Sequence, residues 1–362
     1  MTPTLTNPQS KKLYAVEFLR IWFILCVIIQ HAFHVWPESC KWLLRVLGSS
    51  GFRLATDAVS FFFIIGGFFL YRSLVRRNDN AWELIKKTYI RLIPGLLFAF
   101  TICYAIGDVT IAHLPALLVL FGGTSIAPVV VGWGEWFLGT YFWVTCLFIG
   151  IFRMTPKYGW LWLGILLYMV LELRLYAPIT NKSMYVQSTY YTIIGKDFTR
   201  GIIGMGWGMI AGFLADRIHL PSKWPIKVLF TVIEVICLIN LFKSALYAKH
   251  FHLSAIEMEL LGVVFMISVA NSWGYVSTLL NKLSFIQLFS RYTFSALIGH
   301  IICMRLMFKF KNFGMCDYSS TISVIGGGIL IAIIEYHLIE KIVIPKIKAF
   351  LQHENHRKET LY

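Results

Sequence analysis

The sequence predicts an all-α integral membrane protein, a bundle of about ten transmembrane helices with the N- and C-termini both cytoplasmic. Three observations lead there. The chain is 57% hydrophobic and only 14% charged, whereas soluble domains carry about 25% charged residues. Apolar stretches long enough to span a bilayer recur along its whole length. The lysines and arginines fall unevenly on the two sides, nineteen with the N-terminus and twelve opposite, and that bias places the richer side in the cytoplasm.

The expected spans lie near 18–36, 55–74, 89–107, 136–154, 159–176, 199–216, 226–243, 258–276, 285–307 and 321–345. Pro94 weakens the third, because an interior proline removes a helix hydrogen bond. The apolar piece 112–121 is too short to cross and reads as a re-entrant or interfacial helix. Arg20 and Arg291 fall inside expected spans, the loop 72–91 holds six basic residues, and the loop 108–135 holds none. The organisation that follows is a cytoplasmic tail over 1–12, one transmembrane domain over 13–347 and a second cytoplasmic tail over 348–362. The first span is long, carries Arg20 and His31 and has no small-residue cleavage site after it, so a cleaved signal peptide is not expected.

The formal charge of +15 is spread over many short loops. It reads as a topology signal and an affinity for membrane lipids, not as a nucleic-acid surface. Seven cysteines are scattered without a C-x-x-C pair, so neither a zinc site nor a thioredoxin-like centre is expected. Cys40 and Cys316 both fall in loops placed outside, and the sequence leaves open whether they pair.

The candidate chemistry begins in the first span, in the run from Glu17 through Arg20 to His31. Eleven helical steps return close to the starting angle, so Arg20 and His31 share a face about 16 Å apart along the axis. Glu17, three residues before Arg20, and His34, three after His31, lie on the same side. Ionisable groups in a span mark functional sites by default, and an imidazole can serve as base, proton relay or ligand. Glu17 and Arg20 also fit a plain interfacial ion pair. The basic stretch Arg72, Arg76, Arg77, Lys86, Lys87 and Arg91 fits a positive-inside anchor or a seat for a polyphosphorylated donor such as coenzyme A. In the second span Gly66 and Gly67 read as a close-packing notch, and Asp57 as either a cap or a pocket carboxylate. Later, His300 and the pair His337 and Glu340 are the remaining polar points in apolar helices.

Taken in order, these motifs resemble the acyltransferase 3 family of membrane-bound acyltransferases. An acidic residue, Leu-Arg, ten residues and His correspond to Glu17, Leu19-Arg20 and His31. A phenylalanine-rich span ending in a small residue, Gly and Phe corresponds to Phe61 through Phe68. Arg-Leu-x-Pro is Arg91 to Pro94, Trp-Phe-Leu is Trp136-Phe137-Leu138, a Ser/Thr-aromatic stretch ending in His is Thr293 to His300, and Tyr-x-x-Ile-Glu-Lys is Tyr336 to Lys341. Gly66 stands where the family often has serine, Thr88 where it has a second base, and Leu297 where it has tyrosine.

The resemblance implies a stand-alone member without an extracytoplasmic hydrolase-like domain. It implies O-acetyl transfer from acetyl-CoA, with no metal, to a hydroxyl of a bacterial cell-surface polysaccharide or its lipid-linked sugar precursor, in the cytoplasmic (inner) membrane. His31, Arg20 and Glu17 would be the catalytic group, and Lys86, Lys87 and Arg91 would hold the donor. His34, Asp57, Trp136, His300 and Glu340 would be candidates for the substrate pocket. Two alternatives stand beside this reading: a succinyl- or other acyltransferase of the same family, and a secondary transporter or flippase for lipid-linked sugars. A second copy of the chain is an open alternative as partner.

Overall fold

The computed structural model describes residues 13–32, 54–122, 130–132, 134–180, 189–190, 194–221, 223–246, 255–310 and 318–359. The described residues are helical almost throughout. Ten long helices are α1 (Tyr14–Ala32), α2 (Leu54–Tyr71), α3 (Ala81–Ala105), α5 (Glu135–Met154), α6 (Gly159–Thr180), α7 (Lys196–Arg217), α8 (Trp224–Leu246), α9 (Ala255–Asn271), α12 (Thr293–Phe310) and α13 (Tyr318–Glu335). Shorter helices are α4 (Leu114–Leu118), α10 (Tyr275–Leu280), α11 (Ile286–Ser290) and the C-terminal α14 (Ile344–Glu359). Two-residue strands β1 (Thr189–Tyr190) and β2 (Ile194–Gly195) pair antiparallel just before α7.

Among the described residues, five helices are long and apolar enough to cross a membrane: Ala58–Arg76, Ala81–Ala105, Glu135–Met154, Asp197–Arg217 and Trp224–Phe242. A long helix lies on every apolar segment expected from the sequence, with two differences of extent. The third starts well before residue 89, at Ala81, where the Asn80 side chain accepts the N–H groups of Trp82 and Glu83 at 2.9 and 3.2 Å, a cap worth about 1 kcal/mol. It then runs straight through Pro94. The expected ninth span is two pieces, α11 and α12, with the break at Arg291-Tyr292. Arg291 stands at that break, between the two helices and exposed. The piece 112–121 holds a 3-10 turn (Ile111–His113) and α4, too short to cross.

The closest helix pairing is α2 on α7. A Cβ at Gly67 would collide with the Met205 carbonyl, and one at Gly208 with the Ile64 carbonyl and the Phe68 N–H. Small residues here let the two backbones approach as membrane helices require. Ser60 meets Arg200, and Tyr71 lies over Gly212, so the two helices run parallel. The second close pairing is α12 on α13, where Gly299 lies against the Gly328 carbonyl and the Ala332 N–H.

The start of α1 is tied down from afar. The side chain of Asn281, just after α10, accepts the Ala15 N–H at 3.1 Å and donates to the Val269 carbonyl at 3.3 Å. The turn leading into α10 is in turn organised by Glu234 of α8, fully buried, which accepts the N–H groups of Gly274 and Ser277 and the Ser268 hydroxyl at 3.2, 2.9 and 2.6 Å. A carboxylate satisfied by three donors at a helix start is well placed electrostatically. The result is a fixed α1, whose inner face carries the polar residues singled out from the sequence.

Candidate active site

One cavity of about 880 Å³ lies between α1, α2, α3, α5, α7 and α12. Its wall runs from Val59 on α2 to Ser73 on the π-helical turn Arg72–Arg76 that follows, a rise of about 20 Å. At one end it is lined by Ser73, Leu84, Lys87, Thr88 and Arg91, with Lys87 and Arg91 exposed. At the other end are Val59, Gly134, Trp136, Arg200 and His31. Arg20 and Glu17 line the same cavity, and α1 is an unbroken helix between Arg20 and His31, so the spacing of about 16 Å holds.

Arg20 is held on two sides. Its Nη1 donates to both Glu17 oxygens at 3.1 and 3.0 Å, and its Nη2 donates to Thr293 Oγ1 at 3.3 Å. Thr293 Oγ1 donates onward to the Ser290 carbonyl at 2.8 Å, so the break before α12 shapes the site. His31 Nδ1 lies 2.8 Å from Nε2 of His300. The two ring planes are within 19° of each other, and His300 is only 1% exposed.

The basic stretch divides into two parts. Arg76 pairs with Asp216 at 3.0 Å, Arg77 with Asp79 at 2.8 Å and Lys86 with Glu83 at 2.7 Å, while Arg72 stacks on Phe68. Those four are not among the residues lining the cavity; Lys86, expected with Lys87 and Arg91 to hold the donor, is turned a step of about 100° from Lys87 to another face of α3. Lys87 and Arg91 are one turn apart and face inward. Among the described residues, four cations, Arg20, Lys87, Arg91 and Arg200, and one carboxylate, Glu17, line the cavity.

Among the other expected residues, Trp136 lies in the cavity wall, whereas His300 sits behind His31. Glu340 is half-buried on the π-helical segment Tyr336–Val343 and is not a lining residue. His34, Cys40 and Cys316 lie outside the described residues, as does the side chain of Asp57. Sequence reasoning missed Arg200, whose Nε and Nη2 both donate to Ser60 Oγ at 3.0 Å. It lies within the first turn and a half of α7, where a basic residue reads as a loop anchor. It also missed Tyr141, whose ring occupies the space a side chain at Gly66 would need.

The wall at Gly134 and Trp136 is braced by a clamp. Glu135, 1% exposed, accepts the N–H groups of Val130 and Val131 through Oε2 at 2.6 and 2.7 Å. Arg305 of α12 donates to the carbonyls of the same two residues at 3.2 and 3.3 Å and pairs with Asp108 at 3.2 Å. Another buried carboxylate, Glu335, lies beside Gly95 at the Pro94 turn, and its oxygens, like Ser295 Oγ, make no hydrogen bond to the described residues. Among the described residues, no cluster of His, Cys, Asp and Glu could hold a metal ion.

The cavity thus joins a half-buried imidazole, His31, backed by the buried His300, to a row of cations whose end at Lys87 and Arg91 is exposed. Residues 13–337 match the acyltransferase domain that defines the acyltransferase 3 family, and the chain belongs to that family. No curated protein and no solved structure gives a match.

Proposed function

We propose that the protein is an O-acetyltransferase of the bacterial cytoplasmic membrane, with about ten spans and both termini cytoplasmic. It would take acetyl groups from acetyl-CoA and place them on a hydroxyl of a surface polysaccharide or its lipid-linked precursor. The observation that carries this reading is that Arg20, His31, Lys87 and Arg91 line one continuous cavity. A solid bundle around His31 would have contradicted it.

The separation of charge and imidazole supports a particular shape of donor. About 16 Å lie between Arg20 and His31 along α1, so a donor held at the basic mouth must reach inward by a comparable length. Coenzyme A has that form, with phosphates at one end, the thioester at the other and a flexible pantetheine arm between. Lys87 and Arg91 would take the phosphates, which favour charge-assisted contacts. Arg20, fixed by Glu17 and Thr293, would act on the arm or head of the donor and not on the reacting carbonyl beside His31.

At His31 the chemistry is a single displacement. The imidazole takes the proton of the acceptor hydroxyl as that oxygen attacks the acyl carbon. The C–S bond breaks, the thiolate leaves and takes the proton back, and the products are the O-acyl ester and the free thiol. A thioester is already activated, so positioning and one base suffice. Arg200 and Trp136, which line the His31 end of the cavity, would meet the acceptor. Mass spectrometry of surface glycans from cells with and without the protein tests the reading. Loss of one acetyl mass per repeat is expected, a succinyl mass would change the donor, and unaltered glycans would refute it.

A further inference from the structure

We infer that His300 is a positioning residue that holds His31 as the tautomer with its proton on Nδ1 and its lone pair on Nε2. The assignment follows from hydrogen-bonding partners, taken one at a time. The Ala296 carbonyl can only accept, and it lies 3.1 Å from Nδ1 of His300, so that nitrogen carries a proton. A neutral imidazole has one N–H, which leaves the lone pair of His300 on Nε2. That atom is 2.8 Å from Nδ1 of His31. Two lone pairs do not face each other at such a distance, so His31 Nδ1–H donates to His300. The lone pair of His31 therefore resides on Nε2.

The opposite assignment requires His300 to be an imidazolium, with both nitrogens donating. Its 1% exposure makes that expensive, because a buried charge needs a compensating partner. The described groups that meet its ring are backbone groups of Ala296 and Leu297 and the His31 imidazole, none of them a carboxylate. The backbone around His300 is also held firmly. Gly299 touches the Gly328 carbonyl, Gly328 lies under the His300 backbone, and α1 is pinned to α12 a second time through Arg20 and Thr293.

The catalytic consequence rests on the acyl-transfer reading; the tautomer itself does not. A general base works through one nitrogen, and the hydrogen bond made by the other decides which. With Nδ1 occupied by His300, the proton of the acceptor goes to Nε2. His31 then donates from both nitrogens, while His300 keeps its proton on Nδ1 and accepts throughout. An uncharged imidazole thus orients the base without adding charge to the membrane interior.

The test uses the full-length protein in nanodiscs, with ¹⁵N-labelled histidine and the His31→Gln protein for assignment. The wild-type spectrum should show His31 protonated at Nδ1, and His300→Leu should move the population toward Nε2–H. In kinetic assays His300→Leu should lower kcat by about 10²–10⁴-fold, the range for losing a well-directed base, with donor KM within about threefold of wild type. His300→Gln, whose amide oxygen can accept from Nδ1–H, should recover most of kcat. A wild-type spectrum with His31 protonated at Nε2 overturns the inference, and so does an unchanged kcat in His300→Leu. Full activity in His31→Gln would instead refute the acyl-transfer reading, with the tautomer still decided by the wild-type spectrum.

Discussion

His31 Nδ1 and His300 Nε2 lie 2.8 Å apart although 269 residues separate them in the chain. They meet because α1 and α12 run side by side, joined again where Arg20 Nη2 donates to Thr293 Oγ1.

Replacing His31 with alanine removes the proposed base and leaves the cavity wall otherwise intact. Acyl transfer in isolated membranes should fall by about 10²–10⁴-fold, the usual contribution of a positioned base. Expression measured on the same membranes should match wild type. Normal acylation at normal expression would refute the role given to His31.

For Arg20 the effect should appear in donor binding. An alanine there removes the cation and leaves Glu17 as an uncompensated carboxylate in the cavity. Hydrogen bonds to charged groups are worth about 1.5–3 kcal/mol, so donor KM should rise roughly 10- to 100-fold. Lysine keeps the charge but loses the fork that reaches Glu17 and Thr293 together, and should recover only part of the loss. Steady-state kinetics with varied donor separates these outcomes; a fall in kcat alone would argue against them.

Glu135 and Glu335, both buried, should respond differently to substitution. In Glu135→Ala the N–H groups of Val130 and Val131 lose their acceptor, at about 1–3 kcal/mol for each buried donor left unpaired. Thermal unfolding in detergent should therefore come at a clearly lower temperature. Glu335 makes no hydrogen bond to the described residues, and an uncharged amide of the same shape costs less to bury. Glu335→Gln should leave the unfolding temperature unchanged or raised.

Glycines give a further contrast. Gly67→Leu should block assembly of α2 on α7, because even a Cβ at this position collides with the Met205 carbonyl. Little folded protein should elute as a single species on size exclusion. At Gly150, on α5, a Cβ meets nothing within 4 Å, and alanine should be neutral or stabilising by up to about 1 kcal/mol.

Much of this arrangement was legible in the sequence because helix geometry is periodic. The shared face of Arg20 and His31 follows from the spacing alone, as does the pairing of Glu17 with Arg20. Lys87 and Arg91 are one turn apart for the same reason, although the sequence could not tell Lys86 from Lys87 without knowing which face of α3 is turned inward. The hydrogen bond between His31 and His300 depends on how helices distant in the chain pack, and no local pattern carries that. Arg200 was not singled out because it stands near a helix start, where membrane anchors also stand. The broken ninth segment was hidden because Leu288, Phe289, Phe294 and Leu297 keep the stretch apolar on both sides of the turn at Arg291-Tyr292.

Because Arg20 and His31 belong to one unbroken helix, α1 serves as a molecular ruler. No hinge lies between them, so the interval from cation to imidazole cannot be adjusted by a moving domain. Inserting one residue between positions 20 and 31 would swing the imidazole about 100° off the cavity wall while lengthening the interval by only about 1.5 Å. The first change would break the contact with His300; the second alone would be tolerable. Angular phase, more than length, is what the first helix must preserve.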